Sequence, residues 1–159
     1  MIRRVLTFPD PLLKQRCHPV EQEAGLEIAR DLVDTMRAHP RCVGLAAPQV
    51  GETARVAVVD VSRHPAAGSS NGLLLLINPR LIETSGMAIA REGCLSLPAI
   101  TADVRRARRV TFRPSNDAAA AWAEGFEARA LQHELDHLDG ILILDRVTSA
   151  HALHPRRSG

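Results

Sequence analysis

The sequence predicts an α+β fold, and three observations carry that expectation. An amphipathic helical pattern comes early in the chain, a second comes late, and the short apolar segments between them have the length and punctuation of strands. The order is helix, strands, helix, without the regular alternation that a parallel βαβ sheet requires. At 159 residues, 45% hydrophobic and 24% charged, the chain has the size and balance of one globular domain.

Taken in order, Arg4 to Leu13 carries prolines on either side of Asp10 and reads as an irregular, extended opening. From Glu23 to Ala38 the residues Leu26, Ala29, Leu32, Val33 and Met36 recur at helical spacing, and Pro40 stops the helix. Arg41 to Gly51 is a loop of small residues. Ala54 to Val61 and Leu73 to Ile77 are buried strands, joined by the polar connection Ser62 to Gly72 and closed by Asn78-Pro79. Leu81 to Arg91 and Arg109 to Arg113 are further strand candidates. Glu127 to Leu138 is a second helix, with Gly140 at its C-terminal cap. Nothing repeats, so residues 1–147 are expected to form a single domain and residues 148–159 a short basic tail.

Composition excludes several functions. Tyr is absent and Trp and Phe together number four, too few aromatics for a stacking platform on single-stranded nucleic acid. A formal net charge of +2 gives no global case for sequence-specific nucleic-acid binding. Basic residues do cluster at Arg105, Arg106, Arg108 and Arg109, and at Arg156 and Arg157, where a solvated strand edge and tail are expected. The cysteines, Cys17, Cys42 and Cys94, are odd in number and make no disulfide framework. Residues 1–14 lack the apolar core of a signal peptide, and the longest apolar run, Leu73 to Ile77, is far too short for a membrane span. A reducing cytoplasm is therefore expected, with thiolates available to a metal.

The chemistry concentrates in Gln132-His133-Glu134-Leu135-Asp136-His137. On a helix, residues i and i+4 lie one turn apart on one face, so His133 and His137 can grip one ion while Glu134 reaches a water beside it. A third ligand is needed. In the long HExxHxxGxxH pattern Gly140 fits, but the ligand position is Ile143, which cannot bind a metal, and no Glu follows Glu134. Asp139, Asp145, His151 and His154 are weak downstream candidates. Upstream, Cys94 is the strongest donor and would leave a fourth position open, as a catalytic metal requires. Cys17 and Cys42 read as simple burial. A structural metal module is the non-enzymatic alternative, and Glu134 argues against it, because a structural site has no use for a carboxylate beside an open position.

Three stretches resemble the peptide deformylase family: Gly44-Leu45-Ala46-Ala47-Pro48-Gln49 with Val50-Gly51, Glu92-Gly93-Cys94-Leu95-Ser96, and Gln132-His133-Glu134-Leu135-Asp136-His137-Leu138. Pro9-Asp10-Pro11-Leu12 is similar to the family's opening segment, and the likeness runs over about residues 4–146. The resemblance implies antiparallel or mixed sheets around a central helix that bears the HExxH residues. It implies hydrolysis of the N-formyl group from the formyl-methionine of nascent chains, releasing formate, with a metal-acidified water as nucleophile and Glu134 as general base and acid. It implies Cys94, His133 and His137 as metal ligands, Fe²⁺ as the usual metal, and Zn²⁺, Ni²⁺ or Co²⁺ as replacements. Gln49 and the backbone N–H of Leu95 would stabilise the oxyanion, and Val43, Gly44 and Leu45 would lie along the substrate. Glu92 and Asp136 are candidates to orient ligating imidazoles, with a solvated helix position as the other reading of Asp136, and Arg106 is a candidate partner for Glu92. A related deacylase acting on another small N-acyl group is the alternative enzyme. Cys42 departs from the family's usual Gly, and the short C-terminus makes a poor ribosome-docking helix, which leaves the arginine clusters for any weak ribosome contact.

Overall fold

A computed structural model describes residues 1–157. Helix α1, Gln22–Ala38, matches the first helical pattern and buries Ala29, Leu32, Val33 and Met36. It packs on a sheet of three antiparallel strands in the order β1-β2-β3: β1, Gly44–Ala46; β2, Val56–Val59; β3, Leu74–Ile77. Leu45, Val56, Val58 and Ile77 face α1, while Ala46, Ala57, Val59 and Leu76 join the cluster on the other side. Burial on both faces is why β2 and β3 read as unbroken apolar runs rather than as alternating patterns. Gly25 lets α1 approach β3 closely, since a Cβ there would stand 2.6 Å from Ile77 Cγ2.

Two more antiparallel sheets follow. Strands β4, Arg80–Ser85, β7, Arg109–Arg113, and β8, Ala121–Glu124, form one in the order β4-β7-β8. Strands β5, Ala88–Cys94, β6, Leu97–Arg106, and β9, Leu153–Pro155, form the other in the order β5-β6-β9. The expected strand from Leu81 to Arg91 is thus two strands in different sheets, broken at Gly86, whose φ of 68° turns the chain. The ten-residue β6 and the short β8 carry no clean alternation and were not expected. Residues 148–159, expected as a tail, hold β9, which pairs with β6 through Ile100–Pro155, Thr101–His154 and Ala102–Leu153. The last two residues of that expected tail lie outside the described part. Among the described residues no helix is long and apolar enough to cross a membrane.

Helix α2, Gly125–Leu138, lies between the first two sheets and sends Ala128, Leu131, Leu135 and Leu138 into the cluster that also holds Phe112, Val110 and Ala123. Its end is a Schellman cap: Gly140 N–H donates to the His137 carbonyl at 3.2 Å and Ile141 N–H to that of Asp136 at 2.9 Å. Gly140 has φ of 73°, and a Cβ there would collide with the carbonyl of Lys14. The short helix α3, Ile143–Arg146, follows and closes the third cluster with Leu13, Leu97, Val104 and Leu142. Replacing Gly140 by Ala therefore strains the backbone and displaces the opening segment; urea unfolding should show a loss of about 2 kcal/mol or more, and a loss under half of that would remove this cap from the fold's requirements.

Candidate metal centre

Helical pitch brings His133 and His137 to one face of α2, and the end of β5 brings Cys94 against them. Their donor atoms lie within 4.8 Å of one another, and Cys94 Sγ stands 3.3 Å from His137 Nε2. All three are inside the protein: Cys94 and His137 are buried and His133 nearly so.

His133 is held from behind. Its Nδ1 donates to Glu92 Oε1 at 2.8 Å, which turns Nε2 toward the other donors. Glu92 is itself saturated: Arg106 grips both its oxygens at 2.9 Å, and Arg129 Nη1 donates to Oε2 at 2.7 Å. Burial alone would raise the Glu92 carboxyl, but His133 and Arg106 overcome it and hold the group at about 2. Arg129 also donates to the carbonyls of Val104 and Ala88, so it ties α2 to β5 and β6. Asp136 does not orient an imidazole as expected. It accepts from Arg106 Nη1 at 2.5 Å and from both Nε and Nη2 of Arg146. Arg106 is thus no part of a solvated strand edge; its guanidinium sits buried between two carboxylates.

Without a metal, burial opposes a charge on His133, but Cys94 and Glu92 raise its imidazole well above the usual range. Burial opposes a charge on Cys94, yet His137 and His133 beside it hold the thiol well below its usual range. Burial lifts the Glu134 carboxyl to about 7, an effect the two imidazoles only partly offset. Glu134 Oε2 and His137 Nδ1 are buried with no hydrogen-bond partner. A thiolate, two imidazoles and an unpartnered carboxylate oxygen beside them fit a divalent metal with a water next to it.

A cavity of about 500 Å³ opens onto this group, lined in part by Val43, Gly44, Gln49, Leu95 and Glu134. Gly44 is required there, because a Cβ would come within 2.6 Å of Glu134 Oε1. Leu45 turns its side chain away into the α1 cluster. Gln49 lies on the 3₁₀ turn Ala47–Val50; Ala46 N–H donates to its Oε1 at 3.0 Å and its Nε2 donates to Ser96 Oγ at 3.1 Å, with Cys94 Sγ at 3.6 Å. Strand β1 is an edge. Asp60 N–H donates to the Val43 carbonyl at 2.8 Å, so Val43 and Leu45 face β2 while Gly44 directs its N–H and carbonyl outward. Cys42 lines the cavity, its thiol pushed up to about 12 by burial and donating to the Gly44 carbonyl at 3.1 Å. Arg129 and Ser96 were not singled out from sequence. Arg129 stands four residues before His133, a helical spacing that points to one shared face.

A cysteine and two histidines with converging donor atoms, beside a glutamate on the wall of a cavity, make a candidate metal site of the kind metallohydrolases use. The family model for polypeptide deformylase matches residues 2–152. The peptide deformylase of Dictyoglomus thermophilum is 44% identical over 92% of this chain and 93% of its own length. That of Halothermothrix orenii is 46% identical over 92% and 94%. The crystal structure of the Thermotoga maritima peptide deformylase superposes with a TM-score of 0.81 at 36% identity, covering 94% of this chain and 99% of that one. A Met-Ala-Ser-bound structure of the class I type b enzyme from Acinetobacter baumannii gives 0.82 at 32% identity, covering 92% and 99%. The chain belongs to the polypeptide deformylase family, metal-dependent hydrolases that remove the N-formyl group from nascent polypeptides.

The buried ion network carries a direct test. Glu92 drops from 4.5 to about 2 on folding, so its stabilisation is complete above pH 4.5 and is lost as pH falls toward 2. Glu92→Gln should therefore flatten the acid limb of the stability curve between those values. Arg106→Met, which takes the shared guanidinium from two buried carboxylates and leaves Glu92 to Arg129 and His133 and Asp136 to Arg146, should cost about 3 kcal/mol at neutral pH. An unchanged acid limb, or a stability loss below 1 kcal/mol by the same denaturant titration, would show that the network is not a determinant of the fold.

Proposed function

We propose that Cys94, His133 and His137 hold one divalent metal, Fe²⁺ in the native enzyme with Zn²⁺, Ni²⁺ or Co²⁺ as substitutes, and that residues 1–147 form the catalytic domain. The observation that carries the reading is a buried thiol and two imidazoles converging within 4.8 Å beside an unpartnered Glu134 oxygen. Three protein ligands leave room for a fourth, and a soft thiolate with two imidazoles suits iron or zinc. When bound, the metal supplies Lewis acidity, lowering the pKa of a water and polarising the formyl carbonyl.

Glu134 takes the proton from the attacking water and delivers it to the departing amine. A buried carboxylate beside such a water is placed to accept and then give a proton. The Gln49 amide is held by Ala46 and Ser96, and its second N–H, which points at Cys94 Sγ, would turn to the developing oxyanion, together with the Leu95 N–H. The outward N–H and carbonyl of Gly44 pair with the backbone of an extended peptide, in which Val43 and Leu45 serve by fixing β1 against β2. The formyl-methionine of a nascent chain then lies along β1 with its formyl group over Cys94. Arg105, Arg108 and Arg109 remain exposed and would make any weak contact with the ribosome.

Formate release from formyl-Met-Ala-Ser by anaerobically purified, metal-loaded enzyme tests this. Glu134→Ala should keep the metal and lose roughly 10²–10⁴ in kcat, and Gln49→Ala should lose roughly 10²–10³. Removing the metal with a chelator should abolish release. Full activity in the metal-replete Glu134 variant would overturn its role as acid and base.

A further inference from the structure

The cavity that receives the peptide has a basic rim that no carboxylate matches among the described residues. Arg41, Arg91, Arg156 and Arg157 line it, and all four are exposed. Of its carboxylates, Glu92 is already satisfied by Arg106, Arg129 and His133, and Glu134 lies buried at the floor. Arg91 makes one loose, exposed pair with Asp103 at 3.5 Å. Among the described residues, no carboxylate pairs with Arg41, Arg156 or Arg157. Unpaired guanidinium groups on one side of a cavity are a field waiting for an anion.

Arg156 is placed there by the fold. Strand β9 runs beside β6, Arg156 N–H donates to the Ala99 carbonyl at 2.9 Å, and His154 Nε2 pairs with Asp103 Oδ2 at 2.8 Å. Leu153 packs onto the cluster of Leu97, Ala102 and Val104. From that anchor the Arg156 side chain crosses back over Gly93, the residue before Cys94, where any Cβ would collide with its guanidinium. Gly93 therefore serves as the bed for Arg156, and the basic C-terminus is a wall of the cavity instead of a solvated tail.

We propose that Arg156, with Arg157 and Arg91, forms a carboxylate-binding subsite for the part of the peptide downstream of the formyl-methionine. This rests on the reading that the peptide lies along β1 with its formyl group at Cys94. Methionine supplies no charge, so the arginines act on the residues that follow it, and the chain favours formylated peptides with Asp or Glu there. Arg156 is a specificity-determining residue, not a catalytic one: it changes which peptide binds and carries no proton of the reaction.

The test compares formyl-Met-Ala-Asp-Ala-amide with formyl-Met-Ala-Asn-Ala-amide, and the peptides with Asp or Asn moved one place either way, on the metal-loaded full chain. Amidation removes the C-terminal carboxylate, and a matched pair of free-acid Asn peptides separates capture of a chain terminus from capture of a side chain. Wild type should favour an Asp peptide by roughly fivefold to tenfold in kcat/KM, mainly through KM, and the preference should shrink as salt is raised to 0.5 M, where the Debye length falls to about 4 Å. Arg156→Gln with Arg157→Gln should bring the ratio near one, and Arg156→Glu should invert it. Equal rates for Asp and Asn peptides in wild type would overturn the subsite, as would a preference that survives the double variant. A double variant that speeds both peptides alike would show the C-terminus to be a steric plug and would overturn it too. A preference confined to free acids would reassign the subsite to a terminus and refute the side-chain claim. Failure of wild type to release formate from any of these peptides would instead strike at the deformylase mechanism itself.

Discussion

Glu92 accepts from His133 at 2.8 Å while Arg106 and Arg129 clamp its two oxygens, and the geometry of the metal centre follows from that knot. The carboxylate sits on β5, Arg106 on β6 and Arg129 with His133 on α2, so the β5–β6 hairpin and a helix further along the chain meet at one buried anion. Cys94 is two residues from Glu92 on the same strand. The bond that orients the imidazole therefore also sets how far the thiol stands from it. Desolvating this many charges is costly, and a buried ion network is weak evidence for stability on its own. What it gives is one arrangement: any slip of α2 along the sheets would leave Glu92 or Asp136 buried without its partner.

The same economy shows at the substrate side. Gly44 must lack a side chain so that buried Glu134 can stand behind β1, while at Gly93 the absent side chain leaves room for the end of Arg156. Both glycines flank the reaction space. Gln49 is fixed at its oxygen by the backbone of β1 and at its nitrogen by Ser96, whose hydroxyl in turn donates to the Leu6 carbonyl at 2.7 Å. Leu6 N–H donates to the Gln49 carbonyl at 2.7 Å, which makes the irregular opening segment a support for the oxyanion donor.

Much of this was legible in the sequence, and the illegible parts have physical causes. The two helices stood out because a buried stripe at period 3.6 survives in any sequence that packs one face. Strands β2 and β3 stood out because burial on both faces makes them unbroken apolar runs. Strand β6 did not, and β5 was expected only as far as Arg91, because they carry the ion network: Arg91, Glu92, Arg105 and Arg106 break the hydrophobic period in segments that are nonetheless partly buried. The same residues misled about charge, since Arg106 looks like its exposed neighbours until Glu92 and Asp136 are placed around it. Asp136 was read either behind a histidine or on a solvated helix face, and it is neither: its side chain is buried and meets Arg106 and Arg146. Residues 153–155 lacked any strand signal because their partner, β6, is far away in sequence.

X-ray absorption spectroscopy at the metal edge of the iron- or zinc-loaded protein tests the central claim most directly. The proposed ligand set predicts one sulfur scatterer at about 2.3 Å and two imidazole nitrogens at about 2.0–2.1 Å, with the sulfur shell lost in Cys94→Ala. A first shell of nitrogen and oxygen alone in the wild-type protein, or a sulfur shell that persists without Cys94, would contradict it.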